Sequence, residues 1–418
     1  MGMPVWNRRD GGQLAIGMWN DGLSYVFTRT SSGVENYSFL SDRQTGVTNF
    51  AALMPFFQKM ADVQNSSVLI QCAGDSITYG LYSDGSSTPS DTNQAPYAMP
   101  AQLSKFMNSR IGMTATFSIN ADDDRNTFVG ASQVQSVGLG GFCRQITNTQ
   151  TITINLPACT TIEVIYYESN GTSGTPTSGS CSYNWGGGTV TGNITYAATF
   201  DTYKKATIAV TGTAQTLVLT GTTANPVYVA QVNCYTTGGV VVGRNGRGGW
   251  TTSDFLGTGG NFSTDVAGQA RVLKGFGQGS TALNIVMLGF NDCALQATAG
   301  QLTTTTLYKS NLLQIANRDT TIPLLLVSEP DGPNSDASLT EKYRDYWAAA
   351  RSLATIGSNI AHMSIGDFWG NYTTANANGY NAGSSVHPSR KGYGSIANML
   401  ATVLSRADIY RTQLLTGQ

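Results

Sequence analysis

The chain has 418 residues, of which 24 are Lys or Arg and 25 are Asp or Glu, for a formal net charge of −1. Charged side chains make up only 12% of the total, against roughly 25% in an average soluble domain. This near-neutral balance excludes the basic surplus that grips a phosphate backbone or an anionic lipid surface, so no nucleic-acid partner is expected, and at roughly 150 residues per domain the length implies more than one unit.

At the N-terminus, MGMPVWNRRDGGQLAIGMW lacks the continuous apolar core of a secretion signal, and no later stretch reaches the roughly 20 apolar residues of a membrane span. No membrane insertion is expected, and a place outside the cell would be reached by lysis or after removal of a leader. Residues 1–66 show little periodicity until Asn49–Val63, where Phe50, Leu53, Phe56, Phe57, Met60 and Val63 recur at helical spacing. They are set apart as an N-terminal segment, and the sequence leaves open whether it serves assembly or packing.

From Ser67 the text changes to SVLIQCAG, a short apolar run ending in a glycine turn, which predicts a buried strand of a parallel sheet. Comparable runs lie at Gly239–Val242, Leu283–Leu288, Pro323–Val327 and Ile360–Ile365. Helical patterns follow at Tyr97–Asn108, Thr305–Asn317, Ser338–Leu353 and Pro388–Arg406, the third opening with Ser338 and Glu341 at capping-box spacing. Strand and helix alternate as in a doubly wound α/β domain, because each parallel strand needs a crossover to return.

Residues 112–236 break this alternation. TITINL, TIEVIYY, SYNW, ATIAV, QTLVLT and VYVAQV are separated by Gly, Ser, Asn and Thr turns with no helical period, which predicts an inserted all-β sandwich. The α/β domain is then 67–111 and 237–418. Tyr166, Tyr167, Tyr183 and Trp185 would suit sugar rings if they are exposed, making the insert a candidate carbohydrate-binding module; the competing reading is that they are core. The six cysteines show no C-x-x-C spacing and have only two histidines to join them, so neither a metal site nor a cofactor is expected. Cys159 and Cys181 flank a Gly/Ser/Thr loop and could pair, although buried free thiols are the more frequent outcome on strand-like runs.

Ligands of a parallel sheet bind beyond the C-terminal strand ends. After the first strand, Gly74-Asp75-Ser76-Ile77-Thr78 lifts the Ser76 hydroxyl to the head of a helix, where free backbone N–H groups stabilise an oxyanion. After the second, Arg247-Gly248-Gly249-Trp250-Thr251-Thr252 offers a backbone N–H at Gly249 that can approach a substrate closely. After the third, Gly289-Phe290-Asn291-Asp292 offers the Asn291 amide. Near the C-terminus, Val386-His387-Pro388 offers an imidazole base, and His362, within IAHMSI, reads as a core or strand-edge histidine.

These four ordered blocks resemble the SGNH (GDSL-type) hydrolases. The resemblance covers about 67–108 and 238–406 and implies a flavodoxin-like sheet, a nucleophile at Ser76, a base at His387, and oxyanion donors from the Ser76 backbone, Gly249 and Asn291. The family usually has Asp three residues before the histidine, whereas Ser384 stands here. A backbone carbonyl near Ser384 or the Asp367 carboxylate would have to take its place. A sandwich between the first two blocks is similar to that of esterases that remove O-acetyl groups from polysaccharides. The architecture and low charge also resemble esterase domains of bacteriophage tail fibres and tailspikes, which implies an acetylated capsule or O-antigen as substrate, a homotrimer within a phage tail, and an extracellular or virion location. The alternatives are a glycan-binding or receptor-binding virion protein without turnover, and a small-ester hydrolase or lipase.

Overall fold

Five apolar runs become the neighbouring parallel strands of one sheet. The computed structural model describes residues 46–63, 65–85, 94–111, 115–117, 126–135, 142–168, 179–196, 202–236, 238–257, 281–294, 303–332, 341–355, 357–382 and 386–405, together with four strands before residue 46. Those four, β1 (Val5–Asn7), β2 (Gln13–Met18), β3 (Ser24–Arg29) and β4 (Glu35–Phe39), form an antiparallel sheet of their own.

Next come β5 (Val47–Thr48), β6 (Ser67–Gly74) and β7 (Ala115–Phe117). The insert supplies β8 (Asn126–Val129), β9 (Ser132–Gln135), β10 (Phe142–Ile146), β11 (Thr151–Leu156), β12 (Thr161–Glu168), β13 (Gly179–Trp185), β14 (Val190–Tyr196), β15 (Thr202–Ala209), β16 (Gln215–Gly221) and β17 (Val227–Tyr235). The chain then returns through β18 (Gly239–Gly246), β19 (Thr281–Met287), β20 (Leu324–Ser328) and β21 (Ile360–Ser364). The main sheet runs β5-β21-β20-β19-β6-β18-β7, parallel throughout except for β5, which pairs antiparallel with β21.

Alternate residues of these strands enter two cores, one on each face of the sheet. Ile70, Cys72, Val240, Val242, Ile285, Leu325 and Met363 pack with the helices Met54–Ala61, Met99–Ile111 and Arg390–Leu404. Ala73, Val286, Leu288, Leu324, Leu326 and Ile360 pack with the helices Thr305–Ala316 and Tyr343–Arg351. Burial on both faces is why these strands read as continuous apolar runs rather than as alternating ones.

Several boundaries differ from the sequence reading. Residues 46–63 belong to the α/β unit, because Val47 pairs with Met363 and the Phe50–Ala61 segment lies in its core. The strand Ala115–Phe117, counted with the insert by sequence, pairs parallel with Val240–Val242 in the main sheet. The third predicted helix starts at Tyr343. Its first-turn Asp345 accepts from the Lys342 N–H at 2.8 Å, while Glu341 reaches away to accept from the Thr305 N–H (2.8 Å) and Oγ1 (2.7 Å) at the head of a different helix. Ser338 lies outside the described residues.

The insert forms two antiparallel five-stranded sheets, β15-β12-β17-β10-β9 and β14-β13-β16-β11-β8. The four aromatics singled out from sequence are not an exposed row of rings. Tyr166, Tyr167 and Trp185 are buried, and the half-buried Tyr183 packs against the sandwich core, since burying a large ring yields more than exposing it. All six cysteines are buried free thiols, and Cys159 hydrogen-bonds Cys234 rather than pairing with Cys181. Among the described residues no helix is long and apolar enough to cross a membrane, and no cluster of His, Cys, Asp and Glu could hold a metal.

Candidate active site

The C-terminal ends of β6, β18 and β19 lie side by side, so the three turns that follow them converge. At the first, Gly74 is required by contact, because a Cβ there would lie 2.2 Å from the Met287 carbonyl oxygen. Asp75 caps the short helix Ser76–Tyr79 by accepting from the Ile77 N–H at 2.8 Å. Ser76 is thereby fixed at the helix start, buried apart from a small exposed fraction.

The second turn docks on the first. The Arg247 N–H donates to the Gly74 carbonyl at 3.0 Å, and a Cβ at Gly246 would lie 2.2 Å from the Tyr79 nitrogen. A Cβ at Gly248 would sit 3.9 Å from that of Ser76, and Gly249 (φ 80°) adopts a backbone that L side chains rarely take. Neither the Ser76 nor the Gly249 N–H has a hydrogen-bond partner among the described residues. Thr251 and Asp254 form a capping box, while Thr252 donates from its N–H and its hydroxyl (2.6 Å) to the buried carboxylate of Asp292.

The histidine arrives from the far end of the chain. Ala382 N–H donates to the His387 carbonyl (2.9 Å) and Ser389 N–H to the Tyr380 carbonyl (2.7 Å), a backbone hook that leads into the helix Arg390–Leu404. It carries His387 Nε2 to 2.9 Å from Ser76 Oγ. The Tyr82 ring, on a left-handed backbone (φ 65°), lies against the imidazole at 5.3 Å between centroids. Burial pushes the His387 pKa down to about 4, so its ring is neutral at neutral pH.

Two expectations are corrected here. Asn291 does not present its amide to open space, because Nδ2 donates to Asp75 Oδ2 and to the Trp250 carbonyl, both at 2.9 Å, and so ties the three turns together. Asp367 does not approach His387; it is claimed by Arg344 (3.0 Å) and Arg351. Residue 384 lies outside the described residues. His362 is buried in β21 and hydrogen-bonded to Ser328 Oγ at 2.7 Å, as its apolar setting implies.

Glu329, directly after β20, was not singled out from sequence. It is fully buried, its carboxyl within hydrogen-bond reach of that of Asp75, and it accepts from the Phe290 N–H at 2.7 Å. An acidic residue at the end of an apolar strand run, at the rim where the other site residues lie, was the available signal. Burial raises the pKa of Asp75 to about 6 and of Asp292 to about 7, and places that of Glu329 well above the carboxylate range.

No family model matches the sequence, and no curated protein matches it. Among solved structures, one described as a peptidoglycan O-acetylesterase in action is similar at a TM-score of 0.60 and 16% identity, covering 86% of this chain and 98% of the other. That share is larger than the α/β unit alone could supply. The likeness shows a shared fold, an α/β unit with an inserted β domain. A family 2 carbohydrate esterase from Clostridium thermocellum (9% identity, 63% of this chain and 94% of the other, TM-score 0.30) matches more weakly. So does a family 2 enzyme with a carbohydrate-binding domain from Corynascus thermopiles (10%, 66% and 99%, TM-score 0.32).

Proposed function

We propose that the chain is a carboxylic ester hydrolase of the SGNH type that removes O-acetyl groups from a polysaccharide. The observation that carries this reading is the 2.9 Å contact between Ser76 Oγ and His387 Nε2, joining residues 311 apart in sequence. A hydroxyl and a neutral imidazole at this distance can act as nucleophile and base, and this pair, unlike the buried Ser328–His362 pair within the sheet, lies at the carboxyl rim where a substrate can reach it. The order β18-β6-β19-β20-β21 supports the doubly wound, flavodoxin-like arrangement, with the reacting residues at its carboxyl rim.

In this mechanism His387 Nε2 takes the Ser76 proton as Oγ attacks the acetyl carbonyl. The Ser76 and Gly249 N–H groups receive the oxyanion, and Asn291 joins them only by releasing Asp75 or Trp250. His387 then protonates the departing sugar oxygen, and water repeats the sequence on the acetyl-enzyme. Acetate release from an acetylated glycan tests the reading, and Ser76→Ala should abolish it. Equal turnover by Ser76→Ala would sink it, and preference for long-chain esters would indicate a lipase.

Ser384, standing where the resembled family has Asp, favours one second reading, a glycan-binding protein without turnover. Binding of the glycan with no acetate release would establish it. A capsule or O-antigen substrate, a virion or extracellular place and trimeric assembly in a phage tail rest on the sequence resemblance. Sedimentation of the purified chain tests the last.

A further inference from the structure

Three strand ends meet beneath the nucleophile, and the residues after them are linked through one carboxyl group. Glu329 follows β20, Phe290 follows β19 and Asp75 follows β6, in the order in which these strands neighbour one another. Glu329 Oε2 accepts from the Phe290 N–H, while Oε1 is buried with no donor in reach. Asp75 accepts from the Ile77 N–H through Oδ1 and from the Asn291 amide through Oδ2. Building on the esterase reading, we propose that Glu329 is a positioning residue, whose carboxyl donates a hydrogen bond through Oε1 to Asp75 and so holds the Ser76 turn and Asn291 in register.

Two ionised carboxylates cannot share a buried site, so one proton stays with the pair. Asp75 has the larger set of donors, and each donor favours its charged form, which leaves the proton on Glu329. The burial that pushes Glu329 well above the ordinary carboxylate range agrees with this placement. The other titratable groups acting on the pair are Asp292, Tyr308 and Tyr393. Asp292 adds only negative charge. Both phenols are committed elsewhere, Tyr308 to the Leu288 carbonyl and Tyr393 to the Leu81 carbonyl, each at 2.8 Å. The proton therefore satisfies an oxygen that would otherwise be buried without a partner, which is a costly state.

The test compares wild type, Glu329→Gln and Glu329→Leu in the full chain. Gln keeps an acceptor for Phe290 and an N–H donor for Asp75, whereas Leu keeps bulk and removes both. Glu329→Gln should retain most of kcat, and Glu329→Leu should lose on the order of a hundredfold in kcat with little change in KM, the effect of a displaced reacting group. A kcat in Glu329→Gln as low as in Glu329→Leu would overturn the proposal. Infrared difference spectra at neutral pH decide independently of turnover and of whether Glu329→Leu folds. A carboxylic-acid band present in wild type and in Ser76→Ala but absent in Glu329→Gln is expected, and its absence from wild type would overturn the proposal. Full activity in Ser76→Ala would defeat the esterase reading while leaving the band to judge Glu329.

Discussion

His387 departs from its ordinary chemistry because burial disfavours its charged form. In the proposed mechanism its neutral form is the base, and burial lowers its pKa to about 4, so that form persists well below pH 6.5. On an acetyl ester, kcat/KM should therefore rise with pH through an apparent pKa near 4 and stay level through 6.5. An apparent value at or above 6.5 would mean that a negative charge reaches the ring. Ser76→Ala should lower kcat by at least about a thousandfold with unchanged melting temperature, as removal of a nucleophile does. Asn291 illustrates what sequence could and could not disclose at this scale. Its place after a strand is legible, but the commitment of both amide protons to Asp75 and Trp250 depends on turns that come together only in space.

At the level of elements, the site is built by turns that fit only without side chains. A methyl group at Gly246 would meet the Tyr79 nitrogen at 2.2 Å and the Thr78 carbonyl carbon at 2.6 Å, both backbone atoms of the helix that begins at Ser76. Gly246→Ala should displace Ser76, destabilise the fold by about 1–3 kcal/mol and reduce kcat; urea unfolding and ester turnover measure the two effects. The helix behind His387 depends on Ser389, whose Oγ accepts from the Gly392 N–H at 3.1 Å. Ser389→Ala should cost about 1 kcal/mol by the same unfolding assay. The parallel strands were legible because burial on both faces writes a continuous apolar run. The capping box at Ser338 and Glu341 misled because Glu341 serves the head of another helix, and a local motif carries no record of which helix end lies beside it.

Across the whole molecule, the buried carboxyls oppose the buried histidines in setting how stability follows pH. His387, near 4, and His362, near 3, have depressed values, so the unfolded chain binds more protons below about 6.5 and stability falls as pH drops from there. Asp75, near 6, and Asp292, near 7, have raised values, so their contribution is present below about 4 and is lost as pH rises through 6 to 7. The two trends offset one another in mildly acidic solution. Asp292→Asn isolates one of them: its unfolding free energy relative to wild type should increase as pH rises from about 4 to 7. A difference that stays constant over that range would show that Asp292 is not buried in an uncompensated setting. The sequence alone determined the alternation of parallel strands and helices, the all-β insert, and the four turn blocks with Ser76 and His387 at their places, because each is written in a few consecutive residues by apolar spacing and turn chemistry. Only the tertiary structure decided that Ala115–Phe117 extends the main sheet, that Tyr166, Tyr167 and Trp185 are core, that Asp367 belongs to two arginines, and that Glu329 stands beside Asp75. Each of these depends on which distant groups become neighbours, and proximity in space sets hydrogen-bond partners, burial and proton affinity in ways that no short stretch of chain records.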